Sequence, residues 1–237
     1  MSSIFRPIPS TGQLPSVCVF DLDHTLIAGD TTVDWTRYLL DKGLVTAQRF
    51  LEVDREMERR YIAGTLLIED YLAEVIPFFS YLSMDELAAH AQTFIDEYIA
   101  HTAYREGYAA IEEARRLGMD VMIISASNAF LVQPTGEKVF GIKESFGVKL
   151  AVKDNHLTGE VVGVPPFQEG KVHCLETQLK RSGKTLSEVV FFTDSRNDLP
   201  LALAAGDCYC VNPDEKLRSV AEEHGWPILP WQDQVGR

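Results

Sequence analysis

The sequence predicts an α/β chain: a parallel sheet with helices on both faces, interrupted after its first strand by an all-helical insertion. Three observations predict it. From residue 105 onward, short apolar runs alternate with helical stretches, a rhythm that builds parallel sheets because each crossover returns the chain in the same direction. Residues 31–104 carry few strand signals and place apolar side chains at helical spacing. Three of the apolar runs stop at clusters of acids, hydroxyls or Asn, and in open α/β sheets ligands bind in the crevice beyond the carboxyl ends of the strands.

After a proline-punctuated leader, Ser16-Val17-Cys18-Val19-Phe20 reads as a buried strand that ends at Asp21-Leu22-Asp23-His24-Thr25. In the insertion, Trp35, Tyr38 and Leu39 recur at helical spacing, as do Leu66, Ile68, Tyr71, Leu72 and Val75. Helix starts are expected at Thr46 before Ala47, and at Ser83, whose Glu86 completes an S-x-x-E capping box. Trp35, Tyr38, Phe50, Tyr61, Phe78 and Phe79 are read as the insertion's own core. A helix over 111–117 ends at Gly118, and Met119-Asp120-Val121-Met122-Ile123-Ile124 forms a strand that stops at Ser125-Ala126-Ser127-Asn128. Residues 149–152 and 156–162 are expected to pair as a hairpin about Asp154-Asn155. A helix over 170–181 leads to the strand Val189-Val190-Phe191-Phe192, which ends at Thr193-Asp194-Ser195-Arg196-Asn197-Asp198. A helix over 199–205, a strand over 208–211 and a helix over 214–224 complete the alternation.

The 237 residues carry 22 Lys and Arg against 35 Asp and Glu, a formal net charge of −13 that excludes a nucleic-acid-binding surface. At 46% hydrophobic and 24% charged the chain can bury a core and is not disordered. No stretch approaches the ~18 apolar residues a membrane span requires, and the first residues lack the apolar stretch of a secretion signal, so a cytoplasmic location is expected. Cys18, Cys174, Cys208 and Cys210 lack C-x-x-C spacing and are read as free, mostly buried thiols. Gly183-Lys184-Thr185 is no phosphate-binding loop, because Gln178 stands where its first glycine belongs.

Asp21 and Asp23 are two apart at a strand end, so strand alternation tends to aim them alike. Adding Asp194 and Asp198 from another strand end crowds four carboxylates together, which raises their pKa values unless a cation compensates. Oxygen-only donors favour Mg²⁺ over zinc or copper. A carboxylate beside such a cation is a nucleophile toward phosphorus. Ser125 with nearby backbone N–H groups, and Lys171 at a helix start, suit phosphate oxygens. Asp198 also stands where it would cap the helix beginning at Leu199.

In order, Asp21-Leu22-Asp23-His24-Thr25, Ile123-Ile124-Ser125-Ala126-Ser127, Gly170-Lys171 and Thr193-Asp194-Ser195-Arg196-Asn197-Asp198-Leu199-Pro200 resemble the four motifs of the haloacid dehalogenase superfamily. The chain is most similar to subfamily IB, the branch of phosphoserine phosphatases and histidinol phosphatases. The tail from Asn212-Pro213-Asp214 through Gly225-Trp226 is also similar to that branch. The resemblance implies a Rossmann-like three-layer core over 1–30 and 105–237, with a helical C1-type cap over 31–104. It implies that Asp21 is the nucleophile that becomes aspartyl-phosphate, and that Asp23 is the general acid and then the base. Thr25 would orient the loop, Ser125 and Ala126 would meet the phosphoryl oxygens, and Lys171 would neutralise their charge. Mg²⁺ would be held by the Asp21 carboxylate, the Asp23 carbonyl oxygen and Asp194. Asp198 would tether the metal shell or Lys171, and Asn197 would line the phosphate pocket. His24 and Arg196 fall at variable positions and are expected to face solvent.

The resemblance also bears on substrate. Phosphoserine phosphatases place an acid after the first motif to bind the substrate amine, and Asp30 stands there as a shorter version. Their cap arginine for the serine carboxylate has no counterpart in Ala73-Glu74-Val75. Over residues 30–100, six Arg or Lys face fourteen Asp or Glu, which puts −8 of the −13 in the insertion. An acidic cap favours a neutral or cationic leaving group. The expected substrate is therefore a small phosphomonoester with an amine or imidazole and no carboxylate, such as histidinol phosphate, with phosphoserine as the alternative. A phosphonate hydrolase would need a cap lysine, and Lys42 is the only one there. A phosphomutase would transfer phosphate between hydroxyls, and a non-catalytic phosphate-binding module would bind Mg²⁺ without turnover. The chain is expected to act as a monomer or homodimer.

Overall fold

Six strands form a parallel sheet in the order β3-β2-β1-β6-β7-β8, in a computed structural model that describes residues 3–46, 48, 72 and 74–236. The strands are β1 (Val17–Phe20), β2 (Asp120–Asn128), β3 (Ser145–Val148), β6 (Val189–Thr193), β7 (Asp207–Val211) and β8 (Ile228–Leu229). The first strand is central: Phe20 pairs with Ile123 on one side and with Phe192 on the other. Alternation sends successive side chains to opposite faces, and each face has its own core. Cys18, Phe20, Ile123, Phe192 and Tyr209 pack on one side with Ala110 and Ile111 of α3 (Arg105–Arg116). Val17, Val19, Ile124, Phe191 and Cys208 pack on the other. There they meet Leu175 and Leu179 of α5 (Glu169–Ser182), Leu201 of α6 (Leu199–Ala204) and Leu217 of α7 (Glu215–His224). The three-layer α/β arrangement matches the sequence prediction.

The insertion contributes α1 (Thr31–Asp41) and α2 (Met84–Phe94), the latter starting with the expected Ser83–Glu86 capping box. Trp35 is its hub, stacked on Tyr38 at 5.2 Å and edge-on to Phe94 at 5.3 Å and Phe79 at 5.8 Å. Trp35 also meets Phe130 of α4 (Ala129–Phe140) at 5.5 Å, so the insertion's aromatic core reaches onto the sheet domain. Phe50, Tyr61, Leu66, Ile68, Tyr71, Ala73 and the helix start at Ala47 lie outside the described residues. The chain leaves and re-enters the sheet domain through two paired segments: Ala28 N–H donates to Thr102 O at 2.9 Å, and Tyr104 N–H to Leu26 O at 3.0 Å.

Several elements differ from the sequence reading. The second strand does not stop at Ile124 but runs to Asn128, pairing with β3, which the sequence reading missed. The helix α4 was missed because Pro134 sits inside it and proline reads as a break. The two residues of β8 are too few to show a period. The hairpin is as expected: β4 (Leu150–Lys153) and β5 (His156–Val161) are antiparallel, and Asp154 and Asn155 both adopt positive φ. All four cysteines are free, and Cys174 is the one not fully buried.

Candidate active site

Because β2, β1 and β6 are neighbours, their carboxyl ends bring three polar clusters into one crevice. Asp21 follows β1 directly, and its N–H continues the ladder to Phe192 O at 2.9 Å. Its Oδ1 accepts from Leu22 N–H at 2.8 Å and from Lys171 Nζ at 2.9 Å. Lys171, in the first turn of α5, is 2% exposed. The preceding Gly170 explains how the lysine gets there: a Cβ at that position would lie 1.9 Å from Pro165 O, so only glycine lets the helix start against that loop.

Asp198 completes the buried ion pair. Its Oδ1 lies 2.7 Å and its Oδ2 2.8 Å from Lys171 Nζ, and Thr193 Oγ1 donates to Oδ2 at 2.6 Å. Both oxygens are thus engaged by the lysine and the threonine, the arrangement expected of a tether to Lys171. Asp198 occupies the N-cap position of α6, but its side chain makes no capping bond. Burial alone would lower the Lys171 pKa; the charges of Asp198 and Asp21 outweigh it and hold the ammonium protonated above its usual range.

Asp23 turns to a different set of donors. Its Oδ1 accepts from Thr31 N–H at 2.7 Å, and its Oδ2 from Ser125 Oγ at 3.1 Å and Ser127 Oγ at 2.7 Å. Thr25 Oγ1 donates to Asp194 Oδ1 at 3.1 Å, tying the first motif to the last. His24 and Arg196 are exposed, as expected, and Ala126 and Asn197 are half-buried. Asn197 donates its N–H to Ser195 Oγ at 3.2 Å. With Ser195, Arg196, Asp214 and Lys216 it lines an open cavity of about 620 Å³ that does not include Asp21 or Lys171. Ser127 and Thr193 are the contributors that the sequence reading left without a role. The signal for Ser127 was its spacing of two from Ser125 on a strand, which puts both on one face.

Electrostatically the crevice has too few cations. Burial pushes the Asp21 carboxyl well above the carboxylate range; Lys171 opposes this, while Asp198, Asp194 and Asp23 add to it. Burial likewise raises Asp194 to about 6, with the charge of Asp198 adding, and His24, the Thr25 bond and Lys171 opposing. Among the described residues no three His, Cys, Asp or Glu side chains form a metal-ligating cluster. The charge of Asp194 acts on Asp21 across the crevice, and oxygen donors of this kind suit a hard divalent ion. Lys42, the phosphonatase candidate, is paired with Glu97 at 2.8 Å.

Asp30 is the N-cap of α1, its Oδ1 accepting from Thr32 N–H at 2.8 Å and Val33 N–H at 2.9 Å. Burial and the charge of Asp23 raise it to about 6 against those two bonds. A carboxyl whose folded pKa exceeds its unfolded value of about 3.9 adds stability below that value, lost as the pH rises through about 6. Asp30→Asn keeps an N-capping oxygen. It is expected to flatten the decline in stability between pH 5 and pH 7 without lowering stability at pH 7. Denaturant midpoints at pH 5, 6 and 7 check this, and an unchanged slope in the variant would count against it.

A family model described as haloacid dehalogenase-like hydrolase matches residues 18–203. The chain is 33% identical over 220 residues to a histidinol-phosphatase of Neisseria meningitidis serogroup C (strain 8013), covering 91% of this chain and 99% of that one. It is 27% identical to a phosphoserine phosphatase of Mycobacterium tuberculosis, over 91% of this chain and 71% of the other. Among solved structures, a protein of unknown function from Bordetella pertussis Tohama I superposes with a TM-score of 0.84 at 27% identity, covering 90% of this chain and 97% of that one. A phospho-aspartyl intermediate analogue of phosphoserine phosphatase superposes at 0.63 with 22% identity, covering 91% and 92%, a likeness of fold.

Proposed function

The chain belongs to the haloacid dehalogenase-like hydrolases, and from that premise we propose that it is a Mg²⁺-dependent phosphomonoesterase working through an aspartyl-phosphate on Asp21. The observation that carries the reading is the Asp21 carboxylate at the end of the central strand, held 2.9 Å from a buried lysine. One Asp21 oxygen is fixed by Leu22 N–H and Lys171, which leaves the other to attack phosphorus. Lys171 neutralises the phosphoryl oxygens, and Asp198 and Thr193 keep it aimed. Ser125 Oγ–H and the N–H groups after it, starting at Ala126, receive the remaining oxygens, while Asn197 lines the neighbouring cavity. Asp23 protonates the leaving oxygen and then takes a proton from the attacking water. The Asp21 and Asp194 carboxylates and the Asp23 carbonyl oxygen would hold Mg²⁺, which supplies charge neutralisation at the phosphoryl group. With both oxygens committed to Lys171 and Thr193, Asp198 serves as the lysine's partner and not as a metal ligand.

Residues 31–104 act as the cap that selects the leaving group, over a core of 1–30 and 105–237. The proposed substrate is a small amino-alcohol phosphate such as histidinol phosphate. The near-full-length likeness to a histidinol-phosphatase, the acidic insertion and the absence of arginine at Ala73-Glu74-Val75 support it. Asp30 contributes negative charge beside Asp23 for the substrate's cationic group. Among the described residues no helix is long and apolar enough to cross a membrane. The test is phosphate release, with and without Mg²⁺, across a panel containing histidinol phosphate and phosphoserine. Mg²⁺-dependent release with a higher kcat/KM for histidinol phosphate is expected. A preference for phosphoserine would overturn the substrate assignment, and metal-independent or absent turnover the reaction.

A further inference from the structure

We propose that Ser127 is the positioning residue that sets the Asp23 carboxyl for proton transfer, and that Thr32 of α1 links this hold to the seating of the insertion. The proposal rests on the reading of Asp23 as general acid and base. Ser127 lies outside the set of residues to which the motifs give a role, yet it makes the shortest side-chain contact to Asp23, Oγ to Oδ2 at 2.7 Å. The other hydroxyl on Oδ2 is Ser125 at 3.1 Å, and Ser125 has a second task at the phosphoryl oxygens. Once the Ser125 hydroxyl turns to phosphate, Ser127 is the side chain that remains on Oδ2, opposite Thr31 N–H on Oδ1.

Proton counting sets the direction of the next link. Ser127 has one hydroxyl proton, and it goes to the carboxylate, so the 3.1 Å contact between Ser127 Oγ and Thr32 Oγ1 runs from Thr32 to Ser127. The chain Thr32 to Ser127 to Asp23 polarises in one sense, each bond strengthening the next. Thr31 and Thr32 both belong to the first turn of α1, so the insertion's first helix touches the Asp23 carboxylate directly through an amide and indirectly through Ser127. When this helix shifts, both holds on Asp23 shift together.

The fold commits further residues to this geometry. Ser127 sits in the stretch of β2 where the register against β3 is irregular, between Ile124 and Asn128. Opposite it is Gly147, where a Cβ would lie 2.5 Å from Ser127 O and 2.9 Å from Ala129 N, so the strand reaches Ser127 only because β3 has no side chain there. Ser127 is 7% exposed and its N–H donates to Ser125 Oγ at 3.0 Å, which locks the two serines to each other.

The chemistry tells how the hold would be read. In the first step the Asp21 oxygen bonds to phosphorus, the bond from phosphorus to the leaving oxygen breaks, and the Asp23 proton passes to that oxygen. In the second, water oxygen bonds to phosphorus, the bond to Asp21 breaks, and a water proton passes to Asp23. An alkoxide leaving group needs the proton in the first step; p-nitrophenolate does not. Because kcat/KM reports only the first irreversible step, a misaligned Asp23 shows in kcat/KM for an alkyl ester and spares it for the nitrophenyl ester.

The experiment measures kcat and KM of Ser127→Ala, Thr32→Val and Asp23→Asn in the full chain. The esters are p-nitrophenyl phosphate and histidinol phosphate, or the alkyl phosphomonoester of the panel turned over best. For Ser127→Ala, kcat/KM is expected to fall about tenfold on the alkyl ester and by less than about twofold on p-nitrophenyl phosphate. With the nitrophenyl ester, kcat and KM are expected to fall together because the water step still needs the base. Thr32→Val should give the same pattern more weakly, and it carries the test if Ser127→Ala folds poorly by circular dichroism. Equal losses on the two esters, or no loss on either, would overturn the proposal. If Asp23→Asn itself fails to discriminate between the esters, the reading of Asp23 falls, whichever way Ser127 behaves.

Discussion

Asp21→Asn is expected to reduce phosphate release by about 10⁴-fold or more while leaving thermal stability unchanged or raised. The amide oxygen can still accept from Leu22 N–H and lie beside Lys171, so the local bonds that Asp21 makes survive the change. What disappears is the anionic oxygen that attacks phosphorus and one of the mutually repelling charges in the crevice. Burial and the neighbouring Asp198, Asp194 and Asp23 already hold the Asp21 carboxyl well above its ordinary range. Replacing it by a neutral isostere therefore removes an unfavourable group from the metal-free fold. Phosphate release at saturating substrate and melting temperature without Mg²⁺, measured on the same preparation, check both halves. Retained turnover above about one part in 10³ would exclude Asp21 as nucleophile. A fall in melting temperature would instead assign the residue a mainly structural role.

Much of this crevice was legible in the sequence because its parts lie at strand ends, where period and composition change together. The run Val17-Cys18-Val19-Phe20 stops at Asp21, and Val189-Val190-Phe191-Phe192 stops just before Thr193 and Asp194, so the ends of β1 and β6 could be placed without coordinates. The residue that required the fold is Asp198. Sequence offered it as a metal ligand, a tether or a helix cap, and only the approach of α5 gives both its oxygens to Lys171. Likewise Gly170 reads as part of a motif, but its necessity comes from Pro165 O, five residues away along a loop with no regular period. The segment around Ser127 was hidden for a related reason. A strand that continues through small polar residues and then enters a proline-containing helix shows no apolar alternation, and its support, Gly147, belongs to another strand. Local pattern locates the carboxylates; which of them share a cation is decided by helices arriving from elsewhere in the chain.

The sharing of that cation makes Lys171→Met the substitution with the largest expected effect on stability. Methionine keeps most of the unbranched side-chain volume and removes the charge, so Asp198, 2% exposed, and Asp21 are left as buried carboxylates facing each other. Removing one partner of a buried ion pair costs about 3–5 kcal/mol, because the remaining charge has lost both water and its counter-charge. For a chain of this size that corresponds to a fall of roughly 10 °C in melting temperature. The pH dependence gives the mechanism. Without the ammonium, the Asp21 carboxyl, already pushed up by burial, loses the one charge that opposes that rise, so folding takes up protons. Stability of the variant should then increase as the pH is lowered from 8 toward 5, since the native state binds more protons than the unfolded chain. A second change, Asp198→Asn, should recover part of the loss in the Lys171→Met background, although alone in the wild type it is destabilising, because it strips Lys171 of its bidentate partner. Thermal melts of the two single variants and the double variant at pH 5 and pH 8 decide it. A loss that is the same at both pH values and is not relieved by Asp198→Asn would mean that the lysine's methylene packing, and not its charge, holds α5 against the end of β1. The same ammonium that bridges two acidic side chains in a buried crevice is then the one positioned to meet a phosphoryl group, so stability and phosphate recognition here depend on a single cation.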